Sequence, residues 1–266
     1  MDCVAVAVTG DAMAGAGRRS CHDRRMRRLV RRVRAPLPTS VGKREGLEYT
    51  LWLPNEEPAG GVVVLHGAGS CKETHHDYAR TVLAAGLAAL VYDQRGHGAS
   101  EGPMDGRMLS DVLAMASLLR SQSGVGDLPI ALRGSSMGGC VALLAASVVD
   151  ARAVVAICPA PPTGLRRALH AGSLQFEVDT EALERLLAGS DIYETVAELT
   201  VPVLLMHAAG DEVVPVRVSR ELSRHFLNPA SRLIEVPGGH HRSVQHDPEL
   251  QALSAQFLVR ALAAVT

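Results

Sequence analysis

The feature that most constrains this chain is Gly134-Ser135-Ser136-Met137-Gly138, set between two stretches of different periodicity. Upstream, Leu128-Pro129-Ile130-Ala131-Leu132-Arg133 reads as a short apolar strand. Downstream, Gly139-Cys140-Val141-Ala142-Leu143-Leu144-Ala145-Ala146 reads as a helix of small and apolar residues. Passing from strand into helix in so few residues requires a sharp turn, and glycines two places before and after it keep side chains out of the way. Ser136 has glycines at both positions and Ser135 does not, so Ser136 is the candidate nucleophile. Alone, the pentapeptide is weak in a chain with 25 glycines, where a tight turn with a capping serine gives the same letters. The strand and helix around it, and three further features in order along the chain, carry the assignment.

At 266 residues with 47% hydrophobic content the chain can bury a large core as one domain. A formal net charge of -1 gives no reason to expect a nucleic-acid partner. No apolar run approaches the roughly 18 residues that would read as a membrane span. The charge is uneven, however: nine arginines and one acid, Asp23, lie between Arg18 and Arg34. Residues 1–38 show no helical or alternating period and are expected to be a disordered extension, or residues added by an upstream start codon. A basic tail of this kind also suits nucleic acid, phospholipid or an acidic partner. It does not read as a secretory signal, because the Val4–Val8 apolar run precedes the arginines. Five cysteines without CxxC spacing point to a reduced, cytoplasmic protein with neither a disulfide framework nor structural zinc.

From Thr39 the pattern becomes regular, and residues 39–266 are expected to form the folded domain. Leu47–Leu53 reads as an edge strand. Gly61–Leu65, Leu87–Tyr92, Ile130–Arg133, Ala153–Cys158, Val201–His207 and Arg232–Val236 read as further strands. Helices are expected at Asp77–Gly86, Asp105–Gln122, Ser136–Val148, Val216–Phe226 and Asp247–Ala264. The Met108, Val112, Met115, Leu119 stripe within Asp105–Gln122 is read as core. Alternating strands and helices of this length give an α/β fold with a mostly parallel sheet covered on both faces. About forty residues, 160–199, break the alternation with helical patterns at Thr180–Leu187 and Tyr193–Leu199. They are expected to form a small helical cap over the carboxyl ends of the strands, or else a longer crossover.

In an open parallel sheet the chemistry gathers at those carboxyl ends. After the strand at Val201–His207 comes Gly210-Asp211-Glu212, and after the strand at Arg232–Val236 comes Gly238-Gly239-His240-His241. A serine hydroxyl needs a neighbouring base, and an imidazole with an ordinary pKa near 6.5 both takes and returns a proton at neutral pH. A carboxylate on its far nitrogen fixes the tautomer. Asp211 is favoured over Glu212 as that acid, and Gly-x-x-His spacing favours His241 over His240 as the base. His246, beside Asp247, reads as surface chemistry. An oxyanion needs backbone donors, assigned to the N–H groups of Met137 and of Ala68 in His66-Gly67-Ala68-Gly69. No H-E-x-x-H pattern or other metal-ligand spacing is present, so neither metal nor cofactor is expected.

With these residues in place the chain resembles the α/β-hydrolase superfamily, in particular its bacterial esterase, acylglycerol-lipase-like and serine-peptidase-like members. The resemblance rests on His66–Gly69, on Asp93-Gln94-Arg95-Gly96-His97-Gly98-Ala99-Ser100, on the elbow, on Gly210-Asp211 and on Gly238–His241. It implies a loop-shaping role for the Asp93–Ser100 run, with His97 structural, not catalytic. A serine nucleophile disfavours the dehalogenase and epoxide-hydrolase chemistry that relatives perform with aspartate. The expected activity is hydrolysis of a small-molecule carboxylic ester through an acyl-enzyme. Thioesterase or peptidase activity on the same triad, and a non-catalytic binding protein on the same fold, are the alternatives.

Overall fold

The computed structural model describes residues 35–122 and 129–263. The arginine-rich run thus lies outside the described residues. Eight strands form one sheet: β1 (Ser40–Arg44), β2 (Leu47–Trp52), β3 (Gly61–Leu65), β4 (Ala88–Tyr92), β5 (Ile130–Ser135), β6 (Ala151–Ile157), β7 (Val203–Ala208) and β8 (Arg232–Val236), in the order β1-β2-β4-β3-β5-β6-β7-β8. β2 is antiparallel to its neighbours β1 and β4, and the remaining pairs are parallel.

One strand expectation is corrected. The Leu47–Leu53 segment is not at the edge, because β1 pairs outside it in a hairpin whose two-residue connection is Glu45-Gly46. Both connecting residues have positive φ, 54° and 80°, the geometry that lets a short turn follow the twist of its strands. Glutamate is a poor advertisement for such a turn, and Ser40–Arg44 carries a single aliphatic side chain, Val41, which is exposed. The hydrophobic pattern that reveals a strand is absent from β1.

The sheet interior follows from alternation. Val63 and Leu65, Leu90 and Tyr92, Ile130 and Leu132, Val154 and Ala156, and Leu205 belong to one apolar cluster. Val62 and Val64, Ala89 and Val91, Ala131, Val155 and Ile157, and Leu204 and Met206 belong to the other. Successive side chains point to opposite faces, and both faces are covered, which is why these strands read as unbroken apolar runs. Among the described residues the helices are α1 (His76–Ala84), α2 (Met108–Arg120), α3 (Met137–Ala145), α4 (Pro162–His170), α5 (Thr180–Ala188), α6 (Ile192–Glu198), α7 (Arg217–Ser223) and α8 (Pro248–Ala263). α2 and α3 pack on the first face, with Met108, Val112, Met115 and Leu119 of α2 in its cluster. α1 and α8 pack on the second.

The connection from β6 to β7 carries α4, α5 and α6. Asp179 and Asp191 cap the last two by accepting hydrogen bonds from Ala182 N–H and from Tyr193 and Glu194 N–H. Within it Val178 makes an isolated parallel bridge to Met104, tying this connection to the loop that follows β4. Because the central strands are parallel, the loops after β3, β4, β5, β7 and β8 all leave the sheet at the same end.

Candidate active site

The strand β5 ends at Ser135 and α3 begins at Met137, leaving Ser136 alone in the turn at φ 54° and ψ -119°. The helix thus begins one residue later than Ser136–Val148 predicts. A positive φ on a residue with a side chain costs on the order of 1–3 kcal/mol and persists only when its surroundings enforce it. They do: Ser136 N–H donates to Ile157 O at 2.8 Å, and its carbonyl accepts from Cys140 N–H and Ala160 N–H, each at 3.1 Å. A Cβ at Gly138 would lie 2.5 Å from the carbonyl oxygens of Leu65 and His66, and one at Gly134 would collide with the Gly138 backbone. Ser135 is buried with an unpartnered hydroxyl, whereas Ser136 Oγ faces a cleft of about 100 Å³.

His241 reaches this serine from the loop after β8. Its Nε2 lies 2.9 Å from Ser136 Oγ, and its Nδ1 lies 2.7 Å from Asp211 Oδ2. With Nδ1–H donating to the carboxylate, Nε2 is left bare to accept the serine proton. The Asp211 side chain is fully buried, and its Oδ1 accepts from Val213 N–H and Val214 N–H, both at 2.8 Å. Burial pushes the Asp211 carboxyl up, but the hydrogen bonds from His241, Val214 and Val213 outweigh it and hold the group below its ordinary value. Asp211 is therefore an anion at neutral pH. Glu212 accepts from the backbone N–H of His241 at 3.2 Å and does not meet the ring. The His240 ring turns away, its Nδ1 accepting from Arg242 N–H. His246 pairs with Asp77 at 2.9 Å. The acid and base loops touch through Gly210 N–H on Gly238 O at 2.9 Å, an approach so close that a Cβ on Gly210 would stand 2.5 Å from Gly239 O.

Opposite the imidazole runs the loop after β3. A Cβ on Gly67 would lie 3.3 Å from Ser136 Cβ, and Gly67 and Ala68 line the cleft with Ser136 and His241. Among the described residues, neither Ala68 N–H nor Met137 N–H has a hydrogen-bond acceptor, so both donors are free for a ligand oxygen. The rest of the cleft wall is polar: Ser70, Thr74, Arg242, Gln245 and His246. A larger hollow of about 640 Å³ lies at the amino ends of β6, β7 and β8, between Arg152, Pro202, Arg232 and Arg260. It contains none of the groups above, all of which gather at the smaller cleft.

One buried histidine and one buried arginine support these loops without announcing themselves in the sequence. His207, at the end of β7, lies 2.8 Å from Val214 O and 3.3 Å from Asp211 Oδ2 through Nε2, while Nδ1 meets Ser219 Oγ at 2.7 Å. It pins the acid loop, and burial holds it neutral by lowering its pKa. Arg133 of β5, wholly buried, donates to His75 Nδ1 at 2.9 Å and to Gln245 O at 3.1 Å, anchoring the loop that bears His241. Its guanidinium also lies over the Tyr78 ring at 4.2 Å. The only hint of either is a polar residue inside an otherwise apolar strand. A metal would find one set of donors among the described residues: Cys158 Sγ, an Asp211 oxygen and a His241 nitrogen, within 4.8 Å of one another. Both nitrogens of that histidine are already engaged by Asp211 and Ser136.

Residues 56–179 match a family model described as Serine aminopeptidase, S33. An uncharacterized protein of Mycobacterium tuberculosis (strain H37Rv) is 30% identical over 217 residues, covering 79% of this chain and 72% of its own. A monoacylglycerol lipase of Mycolicibacterium smegmatis is 26% identical over 247 residues, covering 76% of this chain and 87% of its own. Among solved structures, Est1E from Butyrivibrio proteoclasticus superposes with a TM-score of 0.66 at 22% identity, over 84% of this chain and 97% of that one. A monoacylglycerol lipase of Paleococcus ferrophilus gives 0.64 at 17% identity, over 83% and 99%.

Proposed function

Because the chain belongs to the α/β-hydrolase superfamily, we propose that it is a serine hydrolase that cleaves carboxylic esters through an acyl-enzyme. The observation that carries the reading is the hydrogen-bonded line from Ser136 Oγ through His241 to Asp211, at 2.9 and 2.7 Å.

In this mechanism Ser136 Oγ attacks the ester carbonyl carbon while His241 Nε2 takes its proton. The carbonyl oxygen becomes an oxyanion held by the N–H groups of Met137 and Ala68. Collapse breaks the carbon–oxygen bond to the alcohol, which leaves with the proton from His241. Water then gives its proton to His241 and attacks the acyl carbon, and the second collapse returns the proton to Ser136 and frees the acid. Asp211 remains ionised throughout and stabilises the imidazolium.

An ester is favoured over a peptide with a free amino terminus. Among the described residues lining the cleft none is a carboxylate, and an aminopeptidase must hold its substrate's α-ammonium. Residues 160–199 are read as a small cap over the strand ends, and the molecule as cytoplasmic. Intact-mass analysis after fluorophosphonate treatment tests the proposal. One adduct on wild type and none on Ser136→Ala is the expected result; a folded wild type that takes no adduct would sink it and favour the binding-protein alternative.

A further inference from the structure

The loop that carries the Ala68 amide is short and rich in glycine, so something outside it has to fix its shape. Its beginning is held by its own histidine, as His66 Nδ1–H donates to Gly67 O at 2.8 Å while His66 Nε2 accepts from Gln94 N–H at 3.0 Å. Its far end is held from another element: Gly69 N–H donates to His97 Nε2 at 3.0 Å. His97 can accept there because its Nδ1–H donates to Arg95 O, also at 3.0 Å, which fixes the tautomer. The ring cannot swing away. It is 5% exposed, packed edge-on to His66 at 4.8 Å and against Phe176 at 4.0 Å. Phe176 belongs to the β6–β7 connection, whose Glu177 carbonyl accepts from Met104 N–H at 2.9 Å and so keeps that ring in place.

We propose that His97 is a positioning residue for the oxyanion site, its bare Nε2 fixing the Gly69 end of the loop so that Ala68 N–H is aimed before substrate arrives. Phe176 is the backing against which the histidine stands. The proposal rests on the serine-hydrolase reading for its kinetic consequence but not for the contact itself. His97 touches neither Ser136 nor the cleft, so its effect passes through Gly69 and Ala68. Preorganised donors act on the transition state and hardly at all on ground-state binding. Loosening one therefore lowers kcat and leaves KM nearly unchanged.

The experiment compares wild type, His97→Ala and His97→Gln, the last placing an amide oxygen near the position of Nε2. With active sites counted by fluorophosphonate titration, His97→Ala is expected to lose about 10- to 100-fold in kcat per site, short of the roughly 10²- to 10³-fold lost when a donor is deleted outright. KM should stay within about threefold. Affinity for a trifluoromethyl ketone, whose adduct carries the oxyanion, should fall in parallel with kcat/KM, and His97→Gln should recover most of both. A His97→Ala protein with wild-type kcat per titrated site and unchanged ketone affinity overturns the proposal, whatever its melting temperature. Amide exchange at Gly69 provides a readout independent of catalysis. Protection in wild type and His97→Gln but not in His97→Ala supports the contact, and equal protection in all three refutes it. An ester-inactive wild type that keeps this exchange pattern would overturn the hydrolase reading alone.

Discussion

At the scale of single residues, two adjacent acids separate cleanly by what they touch. Asp211 meets the His241 ring and Glu212 meets only its backbone, so the two amides should behave differently. Asp211→Asn keeps the shape but replaces the acceptor of Nδ1–H with a group that favours the wrong tautomer, and kcat is expected to fall on the order of 10⁴-fold. Glu212→Gln retains an oxygen for the His241 N–H and should stay within about tenfold. Steady-state kinetics on a series of 4-nitrophenyl esters decides it, and comparable losses in both variants would refute the assignment of the acid. That these two side chains meet was legible in the sequence, because a carboxylate and an imidazole following successive strands of a parallel sheet must emerge at the same end. What stayed hidden was the support. Arg133 and His207 are polar letters in largely apolar strands; Asp211 stands only four residues beyond His207, but nothing local announces that Arg133 meets Gln245 in a distant loop.

At the scale of elements, the elbow is a packing problem as much as a chemical one. A methyl group on Gly138 would have to displace the Leu65 and His66 carbonyls at 2.5 Å, which are backbone and cannot turn aside. Gly138→Ala is therefore expected to destabilise by about 1–3 kcal/mol, the usual cost of overpacking. That corresponds to about 2–4 °C in Tm for each kcal/mol in a domain of this size. Activity should fall further than stability, because the same shift moves the loop leading to Ala68. Thermal unfolding followed by calorimetry, with activity measured on the folded protein, checks both, and a neutral variant would mean that the turn relaxes freely. Elements built on apolar runs were read to within a few residues. β1 was not, because its pairing depends on a left-handed Glu45-Gly46 turn and on backbone hydrogen bonds, neither of which leaves a hydrophobic trace. α4 leaves a fainter trace: Pro162–His170 is a short helix that buries only Pro162, Leu165 and Leu169.

At the scale of the whole molecule, the many buried neutral histidines set a pH window. Burial, joined by the nearby His97, lowers the His66 pKa to about 4, and burial likewise pushes those of His75, His97 and His207 down. An unfolded chain binds protons on these side chains near pH 6.5 while the folded chain refuses them. Stability is therefore complete above the unfolded pKa and is lost as pH falls from about 6.5 toward 4. Asp77 adds a second limb. Although burial opposes it, hydrogen bonds from His246, Gln251 and Tyr78 N–H hold its pKa at about 2, below the ordinary 3.8, so its contribution disappears as pH falls through that lower range. Urea unfolding between about pH 7 and pH 4.5 should show a falling midpoint with a constant slope. A midpoint independent of pH over that interval would mean that these histidines are not held neutral.

Ser136, Asp211 and His241 stand in the connections that follow β5, β7 and β8, whereas the long connection from β6 to β7 carries none of the three. Its interior is nonetheless tied to the site: Ala160 N–H holds the Ser136 carbonyl, and Phe176 stands against His97. A side chain that reshapes this connection therefore reaches the oxyanion loop at second hand, through the apolar surface that Phe176 presents to the ring of His97.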